Sequence, residues 1–213
     1  MAACRNMTTE ELGKILKGLK GHYRTQIELL IKLGVMTGYR VRELLTLRIE
    51  DVRTGDDVRQ YLTVRQKNMK GKRKPRTVRL PEYARELLAD YINEFLFGNL
   101  FRRPQDPLFP RNRSSVRELY YMAVYRAFKA AAARADINPH GISTHSMRKT
   151  WVRGFLDHSQ DGDKHDLLQA AGGWASRDSM MHYIPQDEQQ RKIDRTQEFL
   201  GDYFKQELNK EEL

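Results

Sequence analysis

Residues 63–80, TVRQKNMKGKRKPRTVRL, hold eight lysines and arginines and not one acid. A run this cationic is usually a solvated face, because a buried charge loses its water and must gain a partner in exchange. Yet it is flanked by YLTV (61–64) and ends in TVRL (77–80), where apolar and polar residues alternate. A period of two turns one face of a strand inward and the other outward. The segment therefore predicts two antiparallel strands joined by a basic turn, with a further strand near Val52–Val58.

Around this hairpin the chain repeats with a helical period. TTEELGKILKGL (8–19) offers Thr8 or Thr9 as an N-cap, acids in the first turn, and Leu12, Ile15, Leu16 and Leu19 at helical spacing. TQIELLIKLGVMTG (25–38) is apolar enough for a core helix, and YRVRELLTLRIEDV (39–52) reads as another, with Leu44, Leu45 and Leu47 inward. PEYARELLADYINEFL (81–96) has Pro81 suited to a first turn. RRPQDPLFPRNR is a proline-broken loop, and SSVRELYYMAVYRAFKAAAARADI (114–137) reads as one long helix stopped by NPHG. A helix from Ser143 to about Leu156, a polar loop, and a short helix through Leu167–Ala171 lead to Gly172-Gly173. The expected fold class is α+β, mainly α, with a small antiparallel sheet. One domain spans 1–213, with its core over about 7–185. In the tail, Ile193, Phe199, Leu200, Tyr203, Phe204 and Leu208 share one stripe of a helix over about 190–210.

The balance of 38 Lys+Arg against 28 Asp+Glu, a formal charge of +10, points to a polyanionic partner. Cations gathered on a hairpin suit a nucleic-acid backbone better than a membrane. No stretch approaches the ~18 apolar residues of a membrane span and no signal-peptide apolar region opens the chain, so a soluble, cytoplasmic protein is expected. Cys4 is the sole cysteine, which leaves no internal disulfide and no cysteine zinc cage. Asp157, Ser159, Asp161 and Gly162 begin like a calcium loop, but Leu168 stands where the bidentate Glu belongs. His158 and His165 lack the i,i+4 spacing of a helical ligand pair, so no metal is expected.

Three short segments then line up. TGYRVREL puts Arg40 and Glu43 on one helix face, and HSMR does the same for His145 and Arg148. GGWASRDSMMHYI places Tyr183 nine residues after Trp174. Taken singly, each has a plain reading: an i,i+3 ion pair, a core histidine, an indole anchor, a packed phenol. Together they make a kit for phosphodiester chemistry. Two guanidiniums can fork onto nonbridging oxygens, and an indole N–H can add a donor. A phenol ionises near pH 10 and attacks well only beside cations or a base, either of which His145 supplies. A hairpin lysine can protonate the leaving 5′ oxygen. Counting back from Val78 favours Lys70, and a longer hairpin favours Lys67. Lys67, Lys72 and Lys74 are expected to contact DNA.

These boxes resemble the catalytic domain of the tyrosine recombinases, the phage-integrase family. That family carries a T-G-x-R-x-x-E-L box, an H-x-x-R box, a G-[HW] pair and a tyrosine nine residues beyond it. Here they read Thr37 to Leu44, His145 to Arg148, Gly173-Trp174 and Tyr183, and the likeness runs from about Met7 to Pro185. The resemblance implies that Arg40 and Arg148 clamp the scissile phosphate, with His145 and Trp174 assisting and Glu43 supporting Arg40. It implies a lysine general acid and a 3′-phosphotyrosine at Tyr183. It also implies no cofactor, double-stranded DNA as partner, and self-assembly to a tetramer on that DNA. Trp174 stands where His is commoner. The N-terminal core-binding domain usual in the family is missing from this sequence, as in an excised domain or a naturally short protein. A silent DNA-binding relic and a type IB topoisomerase are the rival readings. Tyr203, on the apolar stripe of the tail, reads as packing. Tyr39 is expected either beside Arg40 in the interior or lining the site.

Overall fold

Two apolar clusters organise the fold, and one long helix joins them. The computed structural model describes residues 4–65, 75–97, 102–158 and 164–184. Its larger cluster is built around helix α2 (Arg24–Thr37), in which Ile27, Leu30, Ile31 and Leu33 are buried on several sides, as its apolar composition predicts. Helix α1 (Thr9–Gly18) packs on α6 (Tyr121–Arg134) and places Ile15 in the same core. Thr8 is its N-cap: the hydroxyl accepts from Glu11 N–H at 3.1 Å, and the Glu11 carboxylate accepts from Thr8 N–H at 3.0 Å.

The stretch 39–52 is not one helix. Helix α3 (Val41–Leu44) and α4 (Ile49–Val52) are separated by an extended step, where Leu108 N–H donates to Leu47 carbonyl at 2.9 Å and Ile49 N–H to Asp106 carbonyl at 3.1 Å. The proline-broken loop 102–113 thus offers main-chain partners that compete with helical ones. Leu44, Leu45 and Leu47 are buried as expected. A similar competition shortens α6 at its start. Leu119 N–H donates to Phe109 carbonyl at 2.7 Å and Pro110 bridges Glu118, so the helix opens only at Tyr121. Helix α5 (Glu82–Asp90) continues as a π-helical stretch, Tyr91–Phe97, where the Tyr91 hydroxyl reaches Leu108 carbonyl at 2.9 Å.

Two small antiparallel sheets are present among the described residues. Strands β1 (Arg53–Thr54) and β2 (Asp57–Val58) form a tight hairpin within the predicted Val52–Val58 region. Strands β3 (Tyr61–Val64) and β4 (Arg76–Arg79) are the arms of the basic hairpin, in the register Tyr61↔Arg79, Leu62↔Val78, Thr63↔Thr77 and Val64↔Arg76. The hairpin lysines Lys67, Lys70, Lys72 and Lys74, the Asp161 loop and the tail with Tyr203 lie outside the described residues.

Helix α7 (Thr144–His158) is the joint. It sends Met147 into the larger cluster, and Val152 and Leu156 into a second one with Leu168, Trp174, Met180 and Ile184. Helix α8 (Lys164–Gly172) and α9 (Arg177–Met181) complete that second cluster, and buried Leu168 is a core residue of it. Among the described residues no helix is long and apolar enough to cross a membrane.

Candidate active site

The seam between the two clusters holds Arg40, Glu43, Arg148, Trp174 and Tyr183. On one side, α2 ends at Gly38 in the left-handed conformation (φ +64°), where a β-carbon would lie 2.4 Å from the Trp151 ring. Glycine alone lets the chain turn this tightly against an indole. Two residues later Arg40 caps α3. Its N–H and its Nη1 both donate at 2.8 Å to the carboxylate of Glu43, which is only 2% exposed. The i,i+3 spacing therefore produces a part-buried, doubly bonded pair that fixes the guanidinium.

Arg148 comes from α7 and is 1% exposed. Its Nη1 donates to the Gly38 carbonyl and its Nη2 to the Gly172 carbonyl at 2.7 Å, so one side chain ties the end of α2 to the end of α8. Its guanidinium carbon lies 4.0 Å from the Trp174 ring centre and 5.3 Å from that of Tyr183. His145, one turn earlier on α7, is exposed, and its main-chain N–H donates to the Ser143 hydroxyl at 3.2 Å.

The Gly-Gly-Trp corner follows from the same close packing. A β-carbon on Gly172 would fall 1.7 Å from Trp174 Cζ3, so the indole lies across the place a side chain would need. Trp174 is 5% exposed. Helix α9, capped by Ser176, then carries the chain to a turn in which Tyr183 N–H donates to Met180 carbonyl at 2.8 Å. Buried Met180 and Ile184 anchor this turn, and the half-buried Tyr183 ring sits 5.2 Å from Trp174.

Two buried donors in the seam have no hydrogen-bond partner among the described residues: Arg148 Nε and Trp174 Nε1. Leaving such groups unmatched is costly, so an acceptor brought to them beside the Tyr183 ring would be strongly favoured.

The electrostatics point the same way. Burial, reinforced by Arg40 and Arg76, pushes Arg148 below its ordinary pKa, and burial does the same for Arg76. Both guanidiniums remain protonated at neutral pH. Arg40 is shifted upward instead: burial opposes its charge, but Glu43 and the Tyr183 hydroxyl outweigh that. Three guanidiniums thus converge, with Glu43 bonded to Arg40 and close enough to act on the other two through space. The arrangement attracts an anion.

Of the residues predicted from sequence, Arg40, Glu43, Arg148, Trp174 and Tyr183 come together, and His145 stands on the adjoining turn of α7. Two further residues stand there without having been singled out: Arg76 is buried in the seam, and Trp151 stacks on Trp174 with centroids 6.3 Å apart. Of the two places expected for Tyr39, the structure has it in the interior. The Tyr39 hydroxyl reaches the Leu62 carbonyl at 3.0 Å and also the Arg76 carbonyl, and burial raises its pKa to about 12. Tyr39 is therefore a packing residue under the site. Among the described residues no group of His, Cys, Asp or Glu is placed to hold a metal.

The sequence profile of the phage integrase family matches residues 5–190. Among solved structures, the fold is similar to that of XerA recombinase (TM-score 0.67, 20% identity), covering 91% of this chain and 65% of that one. It is similar to XerH site-specific recombinase bound to difH substrate in a pre-cleavage complex (TM-score 0.66, 24% identity), covering 92% and 55%. It is also similar to the catalytic domain of bacteriophage HP1 integrase (TM-score 0.55, 20% identity), covering 84% and 86%. The chain thus spans less than two thirds of the XerA and XerH chains. Nothing among curated proteins matches it.

Proposed function

Given that this chain belongs to the phage integrase family, we propose that it cleaves and rejoins DNA through a covalent bond to Tyr183. The observation that carries this reading is the pair of unpartnered buried donors, Arg148 Nε and Trp174 Nε1, beside the Tyr183 ring. A scissile phosphate seated against them supplies the acceptor both lack. As phosphorus becomes five-coordinate its nonbridging oxygens gain charge, and fixed donors favour that state over the ground state. Arg40, held by Glu43, supplies a further guanidinium to the same oxygens.

In the proposed step the Tyr183 hydroxyl gives up its proton, with His145 as acceptor, and its oxygen bonds to phosphorus. The P–O5′ bond breaks and its electron pair stays on the 5′ oxygen. That oxygen takes a proton from a hairpin lysine, Lys70 or alternatively Lys67. The product is a 3′-phosphotyrosine and a free 5′ hydroxyl. Because the phosphodiester energy is conserved in that link, the reverse attack by a second 5′ hydroxyl completes strand exchange without a cofactor. Lys67, Lys72 and Lys74 contribute contacts to the DNA backbone. A lambda integrase dimer bound to a core site and XerH bound to its substrate are similar in fold, which supports double-stranded DNA as partner and assembly on it, to a tetramer in this reading.

The test is covalent capture. The protein is incubated with a random-sequence pool of nicked duplexes, and SDS-resistant complexes are recovered and amplified. Enrichment of one sequence supports a site-specific recombinase. Binding without any covalent product makes the chain a silent DNA-binding relic. Site-independent relaxation of supercoiled plasmid assigns it to topoisomerase chemistry.

A further inference from the structure

Arg76 is the first residue of β4, directly opposite Val64. On that face of the hairpin Leu62 and Val64 are 0% and 1% exposed, and Arg76 itself is 5% exposed. A guanidinium in such a position is expensive to desolvate unless its donors are matched. Carbonyl groups match them. Nε donates to Ala171 carbonyl at 2.6 Å, Nη1 to Gly38 carbonyl at 3.3 Å, and Nη2 to Thr37 carbonyl. The rings of Tyr39 and Trp151 lie 4.3 Å and 5.3 Å from its central carbon. The strand's own main chain is held as well, since the Tyr39 hydroxyl reaches the carbonyls of Leu62 and Arg76.

The identity of those carbonyls matters. Gly38 carbonyl also accepts from Arg148, and Ala171 adjoins Gly172, whose carbonyl accepts from the other arm of Arg148. Arg148 joins the ends of α2 and α8 to α7. Arg76 joins the same two ends to β4. The chain between Val64 and Arg76 contains Lys67, Lys70, Lys72 and Lys74, and Arg76, two residues after Lys74, is held in place by strand pairing and by its own hydrogen bonds.

We propose that Arg76 is a positioning residue: by clamping β4 to the Thr37, Gly38 and Ala171 carbonyls, it sets the lysine-bearing segment in register with the phosphate pocket. The proposal rests on the strand-cleavage reading above, with a hairpin lysine as general acid. Loss of Arg76 is then chiefly a loss of proton delivery to the leaving group.

A sulfur substitution separates this from other defects. With an ordinary substrate the P–O5′ bond breaks and the oxygen needs the lysine's proton. With sulfur in the 5′ bridging position the P–S bond breaks and a thiolate leaves unprotonated, because a thiol ionises near pH 8.5 and an alcohol many units higher. The experiment measures single-turnover adduct formation by the full chain on a captured duplex, made with oxygen or with sulfur at that position. Wild type, R76K, R76M, K70A, K67A and R148K are compared. The readout is the ratio of sulfur to oxygen rates, which does not depend on how much of each variant is folded. R76M and R76K are expected to slow the oxygen substrate by about 10²-fold, the range of a lost general acid. Their ratio should rise as it does for the lysine variant that loses the acid. R148K should slow both substrates and leave the ratio at the wild-type value. A wild-type ratio in R76M, or an unimpaired oxygen rate, overturns the proposal. If neither K70A nor K67A raises the ratio, the lysine reading fails and the proposal falls with it. If wild type forms no adduct on either duplex, strand cleavage itself is refuted.

Discussion

Substituting Gly172 by alanine probes the corner on which Trp174 and Tyr183 depend. The new β-carbon would lie 1.7 Å from Trp174 Cζ3, 2.1 Å from Cε3 and 2.6 Å from Cη2. Carbon atoms in contact rest about 3.5–4.0 Å apart, so the indole must retreat by about 2 Å. It has little space to do so, with the Arg148 guanidinium at 4.0 Å, Tyr183 at 5.2 Å and Trp151 at 6.3 Å from its centre. If the ring stays, overpacking costs about 1–3 kcal/mol. If it is expelled, about 200 Å² of aromatic surface returns to water, worth at most about 5 kcal/mol. A loss of about 2–4 kcal/mol lies between these limits. Gly154, inside α7, is the matched control, since a β-carbon there meets nothing within 4 Å. G154A should gain about 0.5–1 kcal/mol from helix propensity alone. Urea unfolding followed by circular dichroism measures both, with tryptophan emission reporting on the indoles. Equal stability of the two variants would refute the packing argument at this corner.

Further perturbations address the charges and the assembly. E43Q removes the carboxylate that balances the buried guanidiniums and should cost about 3 kcal/mol in the same unfolding assay; a change near zero would mean Arg40 is held by other means. R148K keeps the charge but loses the planar fork, and should lower adduct formation by about 10²-fold with little change in DNA affinity measured by anisotropy. Equal losses of rate and affinity would make Arg148 a simple phosphate contact. Neutralising Lys72 and Lys74 together should reduce the slope of log affinity against log salt by about 2, and an unchanged slope would place those lysines off the DNA. Truncation after Gln186 should preserve binding of single protomers in gel shifts while abolishing cooperative larger complexes. Unchanged cooperativity with easier unfolding would instead put the tail on its own domain.

The site was legible in the sequence where chemistry and spacing coincide. Arg40 and Glu43 at i,i+3 form the bonded pair that spacing implies, and the two glycines before Trp174 mark a corner where an indole overlies the chain. The failures have one physical origin: partners distant in sequence outcompete local periodicity. The stretch 39–52 has a helical pattern, yet the carbonyl of Leu47 and the N–H of Ile49 are taken by residues 106–108. Ser114–Leu119 yields to Phe109 and Pro110 for the same reason. Arg76 was hidden by its company. In a run of eight cations it counted as one more solvated charge, although the period-two pattern through Val78 and Arg76 turns it inward opposite Val64. The carbonyls that satisfy it come from residues 37, 38 and 171, a convergence no local pattern encodes.

The central claim is that Tyr183 forms the bond to DNA, and peptide mapping of the captured complex tests it most directly. After nuclease and protease digestion, mass spectrometry should find a nucleotide attached through its 3′ phosphate to the Tyr183 peptide, and Y183F should yield no SDS-resistant complex while still binding the duplex. A complex that survives Y183F, or a nucleotide mapped to Tyr203, would contradict the account.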